Sequence, residues 1–171
     1  MGTASCSQRR SATLCTADEP LFLRLLQHVS AEDLRLRFFD LIKEFTHPFL
    51  ARLTQLNYAR VMAFIALDEA SGEALGVVRV HSDSIGETGE YAILLRSDLK
   101  GHGLGWSLMQ IIIEYSKIKG LKRIVGQILQ ENSVMLSMCR ELGFKVKADM
   151  DDRGLCDVTL ALDPPIAATT V

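Results

Sequence analysis

Cysteine, net charge and long apolar runs are all scarce in this chain of 171 residues, and each scarcity excludes a class of protein. The four cysteines, Cys6, Cys15, Cys139 and Cys156, form no CxxC pair, and the histidines stand far from them in sequence. That leaves no metal-ligand spacing and no disulfide framework, so the expectation is no metal and free thiols in a reducing compartment. Formal net charge is −2 and the isoelectric point is near 6.1. Affinity for nucleic acid rests on cations that neutralise phosphates, so a nucleic-acid partner is not expected. No apolar run approaches the roughly 20 residues of a membrane span. The first ten residues lack the apolar h-region of a signal peptide, and Cys6 stands where a myristoylation signal wants Ser or Thr. The expectation is a cytoplasmic protein with no membrane partner.

What is present fits an ordinary globular domain: 48% hydrophobic residues, 23% charged residues, 12 Gly and 4 Pro. This length is a prior for one domain, able to bury about two-thirds of its unfolded surface. The expected organisation is a loose leader over 1–9, one domain over 10–162 and a tail over 163–171, where Pro164 and Pro165 leave little to bury.

Ser11 to Thr16 reads as a short strand. Asp18-Glu19-Pro20 starts a helix by its capping acid and early proline. Ser30-Ala31-Glu32-Asp33 opens a second in a capping-box-like pattern, with Leu34, Phe38 and Leu41 as its apolar stripe. Thr46-His47-Pro48 starts a third. Val61 to Leu67 and Ala74 to Val80, joined by a turn over Asp68 to Gly72, read as a hairpin. Glu90 to Arg96 is another strand, followed by a glycine-rich turn. A long helix comes next, marked by Leu104, Leu108, Ile111, Ile112, Tyr115 and Ile118 and ended by Gly120. Arg123 to Leu129 is a strand. Glu131 to Leu142 is a helix with Met135, Met138, Cys139 and Leu142 on one face. Lys145 to Asp149 and Cys156 to Leu162 are closing strands. The order of elements implies an α/β fold, a mixed sheet with helices on its faces.

The stretch from Arg96 to Gly105 sits between a buried strand and the longest helix. Glycines at 101, 103 and 105 allow tight curvature and close approach of backbone to a ligand. The helix that follows presents unpaired N–H groups and the positive end of its dipole, a mouth suited to a pyrophosphate, and Lys100 can add a point charge. The spacing does not fit the Gly-x-Gly-x-x-Gly dinucleotide fingerprint, and the Gly-x-x-x-x-Gly-Lys phosphate cradle is absent. Read alone, such a loop is equally consistent with a plain strand-to-helix turn.

The run Lys100-Gly101-His102-Gly103-Leu104-Gly105 resembles the Arg/Gln-x-x-Gly-x-Gly/Ala acyl-CoA loop of GNAT N-acetyltransferases, with Lys in the first place. Asn132 to Phe144, an Asn opening a helix that ends in Gly-Phe, resembles their second signature. Both lie at the expected separation with one strand between, and the resemblance covers about residues 10–162. Leu34 to Phe39, Leu50 to Leu56 and Arg96 to Gly101 further resemble the acetyltransferase domain of bacterial Pat-type protein lysine acetyltransferases. Those enzymes commonly carry a large acyl-CoA-synthetase-like region that this sequence does not contain.

The resemblance implies a mostly antiparallel twisted sheet of about seven strands, splayed near its middle, where the pantetheine of acetyl-CoA lies like an extra strand. It implies that the backbone at Leu94, Leu95 and Arg96 pairs with the cofactor. The Leu94 N–H would stabilise the thioester oxyanion, the amides of Gly101, His102, Gly103, Leu104 and Gly105 would hold the pyrophosphate, and Asn132 would bond the cofactor arm. A lysine acceptor begins near pKa 10.4, so a base is needed to bare its amine. Glu90 is implied as that base, directly or through a water, with Glu87 as its rival. The family often has a tyrosine where Cys139 stands, so Cys139 is a weak candidate proton donor to the departing thiolate and otherwise a packed small hydrophobe. Arg35, Arg37, Phe38 and Phe39, with Lys43 and Glu44, are candidates to edge the acceptor groove, the phenylalanines being otherwise core and the charges a solvated face. The implied reaction is acetyl transfer from acetyl-CoA to a lysine of a protein substrate, an acyl-CoA synthetase among the candidates, by direct attack in a ternary complex. The alternatives are a small-molecule amine acceptor and a non-catalytic acyl-CoA-sensing module. The expected state is monomer or homodimer.

Overall fold

The computed structural model describes residues 9–151 and 154–163. Seven strands form one sheet: β1 (Arg9–Thr13), β2 (Val61–Asp68), β3 (Ala74–Ser82), β4 (Thr88–Leu95), β5 (Arg123–Leu129), β6 (Lys145–Ala148) and β7 (Leu155–Ala161). Their spatial order is β1-β2-β3-β4-β5-β7-β6. Every neighbouring pair is antiparallel except β4 and β5, which run parallel. Five helices complete the fold: α1 (Glu19–Gln27), α2 (Ala31–Phe38), α3 (His47–Thr54), α4 (Leu104–Lys119) and α5 (Ser133–Glu141). Strand β1 begins one residue inside the expected leader. Residues 1–8 of that leader and 164–171 of the expected tail lie outside the described residues.

Local chemistry explains the helix starts. Ser30 caps α2 by accepting from the Asp33 N–H at 3.1 Å, and Thr46 caps α3 by accepting from Phe49. Asp18 stands at the N-cap of α1, yet its carboxylate accepts instead from the Cys15 N–H behind it. Gly120, at φ 86°, ends α4 in the left-handed conformation that favours glycine.

Strand alternation splits the interior into two cores. On one face α4 and α5 cover Val78, Val80, Tyr91, Leu108, Met109, Ile112, Ile124 and Val158. On the other, α1, α2 and α3 cover Leu14, Leu25, Leu26, Ile65, Val77 and Leu94. Two expected core positions are corrected. Leu41 is 64% exposed, because Phe39 turns left-handed and ends α2 before the stripe can reach it. Ile118 is 81% exposed, because it falls on the outer side of the last turn of α4, whose inner side carries Met109, Ile113 and Ser116.

Candidate active site

The sheet opens in its middle. Strands β4 and β5 pair only at Thr88–Arg123, Gly89–Ile124 and Glu90–Val125. Beyond that point β4 stays on β3 and β5 stays on β7, so the two diverge. The ring of Tyr91 lies at the fork against Gly126, where a Cβ would come within 2.6 Å of Tyr91 Cε1. A side chain at 126 would therefore displace the ring that fills the fork.

Divergence leaves one edge of β4 without a strand partner. The Arg96 N–H donates to Leu75 O at 3.0 Å, toward β3, and the Lys122 N–H donates to Glu87 O at 2.8 Å on the opposite edge. Hydrogen-bonding direction alternates along an antiparallel strand. With the register unbroken from Ser82–Gly89 to Gly76–Leu95, the amides of Ala92 and Leu94 turn to β3, and those of Tyr91, Ile93 and Leu95 turn to the gap. This corrects the expectation for Leu94 and Arg96: their N–H groups are held in the β3 ladder. The amides offered to a ligand are Ile93, which the sequence reading missed, and Leu95, which it named. Only the parity of the ladder decides this, and parity is not a sequence signal.

A cleft of about 360 Å³ fills the gap. Its cofactor wall is the glycine loop: Lys100, Gly101, Gly103, Gly105 and Trp106 line it, with Asn132, Met135 and Met138 from the start of α5. Gly101 and Gly103 adopt φ 81° and 80°, a conformation other residues reach only with strain. Gly105 is constrained differently: a Cβ there would stand 3.2 Å from Leu95 Cδ1, a close approach that the leucine side chain would have to yield to. Helix α4 starts at Gly103 without a side-chain cap, so its first-turn amides have no partner within the helix. His102 is exposed and does not line the cleft, and the Leu104 side chain is in the core, so what Leu104 can offer a ligand is its backbone. Asn132 lines the cleft while its Oδ1 caps α5 by accepting from the Met135 N–H at 3.2 Å.

The acceptor wall is built from side chains. Glu90 lies at the last β4–β5 pair and faces the cleft. It shares a face with Leu94, as alternation predicts. Glu87 does not line the cleft and is ion-paired to Lys122. Arg37 and Phe39 of the expected cluster do line it. Phe38 packs in the core with the Arg37 guanidinium 4.6 Å above its ring, and Arg35 points elsewhere.

Helix α2 spans the cleft between its two arms. On one side Asp33 binds Lys100 Nζ and accepts from Ser97 Oγ at 2.5 Å, and Ser97 Oγ accepts from the Ser30 N–H at 2.7 Å. Burial opposes ionisation of Asp33, but the Lys100 and Ser97 hydrogen bonds outweigh it and hold the carboxyl below its usual range. On the other side Arg35 Nη1 pairs with Glu131 Oε1 at 2.8 Å, just before α5. The Arg96 side chain is taken up by Asp98 at 2.9 Å.

Cys139 does not reach the cleft. It is fully buried, and its sulfur lies 3.2 Å from the Tyr91 hydroxyl. Burial raises both groups; the neighbouring Cys139 raises the Tyr91 phenol further, whereas the Tyr91 hydrogen bond and the nearby Arg140 charge offset part of the rise of the thiol. The structure corrects Cys139 as a site residue: it is a packed hydrophobe behind Tyr91, whose ring is what lines the cleft. Among the described residues, no group of three His, Cys, Asp or Glu side chains could hold a metal ion, and no helix is long and apolar enough to cross a membrane.

A splayed sheet with open amides beside a glycine-started helix defines an acyl-CoA-binding transferase, and comparison with known proteins agrees. The model of the acetyltransferase (GNAT) family matches residues 29–144, so the chain belongs to that family. It is an N-acetyltransferase that uses acetyl-CoA. An acetyltransferase of Pseudomonas aeruginosa is 28% identical over 131 residues, covering 75% of this chain and 70% of the relative. An L-methionine sulfoximine/L-methionine sulfone acetyltransferase of the same species is 29% identical over 116 residues, covering 61% of this chain and 67% of the relative. Among solved structures, the GNAT domain of S. lividans PAT superposes with a TM-score of 0.82 at 20% identity, over 90% of each chain. At that identity the likeness speaks for the fold.

Proposed function

We propose that this protein acetylates a primary amine by direct attack in a ternary complex, with Glu90 as general base. The observation that carries this is the position of Glu90 at the fork, where the last paired residues give way to the open amides of Ile93 and Leu95. Acetyl-CoA would lie along that edge of β4, its diphosphate against the amides of Gly101 to Gly105 and its arm bonded by Asn132. Fixed N–H donors aimed at the thioester oxygen would stabilise the charge that develops there. The amine nitrogen bonds to the thioester carbon and the C–S bond breaks. Glu90, directly or through one water, takes the proton from nitrogen, and the thiolate leaves and takes a proton from solvent. A thiolate is a good enough leaving group that Cys139 is not required.

Two acceptor classes follow. A lysine of a protein is supported by the sequence runs around α2 and the glycine loop. A small amine is supported by the curated relative that acts on methionine sulfoximine and sulfone, and by the half-buried arginines Arg37 and Arg79 of the acceptor wall. The observations favour the small amine. The accompanying expectations of a cytoplasmic, monomeric or homodimeric protein, with neither nucleic acid nor membrane as partner, rest on the sequence. Thiol release from acetyl-CoA, measured against a panel of free amines and a lysine-containing protein, tests the reading. Transfer to at least one amine above hydrolysis supports it. Tight acetyl-CoA binding with no thiol release for any acceptor removes it.

A further inference from the structure

Acetyl transfer to an amine does not by itself call for the two arginines on the acceptor wall. Arg37 projects from α2 into the cleft. Arg79 sits on β3 opposite Ala92 and diagonal to Glu90, on the same face of the sheet. Between them is a small recess, lined by Arg37, Arg79 and Leu53, that shares Arg37, Ala92 and Leu94 with the cleft. Ala92, the cross-strand partner of Arg79, lines both spaces.

Both arginines are half-buried, yet neither has an ion pair or hydrogen bond among the described residues. The more exposed Arg24, by contrast, is paired to Glu73, and Arg35 to Glu32 and Glu131. Arg37 keeps only the ring of Phe38. Glu90 is the carboxylate near enough to be felt by both, and it lies outside ion-pair distance. Burial lowers the Arg37 guanidinium to about 10, with Arg79 pushing the same way and Glu90 opposing. Burial likewise lowers Arg79. A half-buried cation without a counter-charge is costly, and two together are costlier. The natural relief is an anion from outside, and a guanidinium matches a planar carboxylate best.

We propose that the acceptor is an amino acid or a close analogue, whose carboxylate binds Arg37, backed by Arg79, while the amine a few bonds away faces Glu90. The inference rests on the proposed amine acetylation and names its substrate class. With the amine in its uncharged, attacking form the filled site is neutral: the carboxylate balances one arginine and Glu90 the other. The diphosphate of the cofactor has its own donors in the amides of Gly101 to Gly105, so the anion that the arginines lack is a different one.

The test uses matched acceptors. The common L-amino acids and methionine sulfone are each compared with the corresponding carboxamide, with thiol release as readout. A carboxamide weakens the basicity of the amine, so more of it is neutral at pH 7 and chemistry alone favours the amide. A preference for the free acid of at least about tenfold in kcat/KM is expected. Arg37→Gln should abolish that preference by raising KM for the acid, with KM for acetyl-CoA and for the amide held within about twofold. Arg79→Gln should act in the same direction, and Arg79→Lys should recover part of the preference. Because β3 is central, the Arg79 variants are first checked for a wild-type melting profile, and Arg37→Gln carries the test if they fail to fold. Binding is measured separately, by calorimetry of N-acetylated amino acids against their amides on the coenzyme A complex. Equal use of acid and amide by an active enzyme overturns the carboxylate site and leaves the amine chemistry standing. Equal use with clear transfer to a protein lysine points to the protein acceptor instead. Absence of thiol release with every acceptor removes the amine chemistry, and the calorimetry then decides the carboxylate site alone: equal binding of acid and amide overturns it.

Discussion

The two walls of the cleft do their work with different parts of the chain. The cofactor wall is backbone: the open edge of β4 and the first turn of α4 present amides, and its side chains matter mainly where they must be absent. The acceptor wall is side chains: Glu90, Arg37 and Arg79 present charge, and their backbones are ordinary strand and helix. The first wall should tolerate most changes that respect its φ angles. The second should tolerate backbone-neutral changes only when charge is kept.

Removing the base sharpens that contrast most. Glu90→Gln keeps shape and loses basicity, so kcat should fall by about 100-fold or more, while the dissociation constant of acetyl-CoA stays within about twofold. Steady-state kinetics and calorimetry on the same preparation check both halves, and undiminished turnover at neutral pH would take Glu90 out of the mechanism. Gly103→Val should do the reverse. Its backbone stands at φ 80°, where a β-branched residue costs about 1–3 kcal/mol. Relaxing that strain moves the amides, so acetyl-CoA should bind about tenfold more weakly or worse. Unchanged affinity for coenzyme A would show that the helix start is not the diphosphate site.

Asp33→Asn probes the tie between the walls. The Asp33 carboxylate is depressed on folding, so its stabilisation is present above its unfolded pKa, near 3.9, and is lost as pH falls through the lower folded value. Hydrogen bonds to charged groups are worth about 1.5–3 kcal/mol. The variant should therefore be less stable by roughly that amount at pH 7, and the gap to wild type should close toward pH 3 in urea titrations. A pH-independent gap would mean that packing, not charge, holds α2. Cys139→Ala should affect activity least, with kcat within about twofold, while its small cavity costs about 1–2 kcal/mol in urea unfolding. A tenfold loss of turnover would restore a chemical role to the thiol.

Much of the cofactor wall was legible in advance, because a ligand held by backbone leaves a trace in the residues that free the backbone. Glycines at 101, 103 and 105 before an apolar helix, and Asn132 before another, are such traces. The strand β5 was readable end to end, since Arg123 to Leu129 is a short run rich in branched apolar residues between the Gly120 helix stop and the Asn132 helix start. The acceptor wall was harder. Arg37 stood out as one of a charged and aromatic cluster, but its neighbours Arg35 and Phe38 shared the signal and turned out to belong to an ion pair and to the core. Arg79 left one clue, a cation interrupting the apolar run Ala74 to Val80, and the sequence offers no way to see that it lies across from Ala92.

The order of strands and helices, the capped helix starts and the glycine loop follow from the sequence alone, because propensity, capping and hydrophobic period are local properties of consecutive residues. Which amides of β4 are free, that Cys139 lies behind Tyr91, and that Arg37, Arg79 and Glu90 face one another were decided only by the tertiary structure. Each depends on the register between strands or on the packing of a helix against a sheet. Those relations join residues up to 53 positions apart, as between Arg37 and Glu90, and no local pattern encodes them.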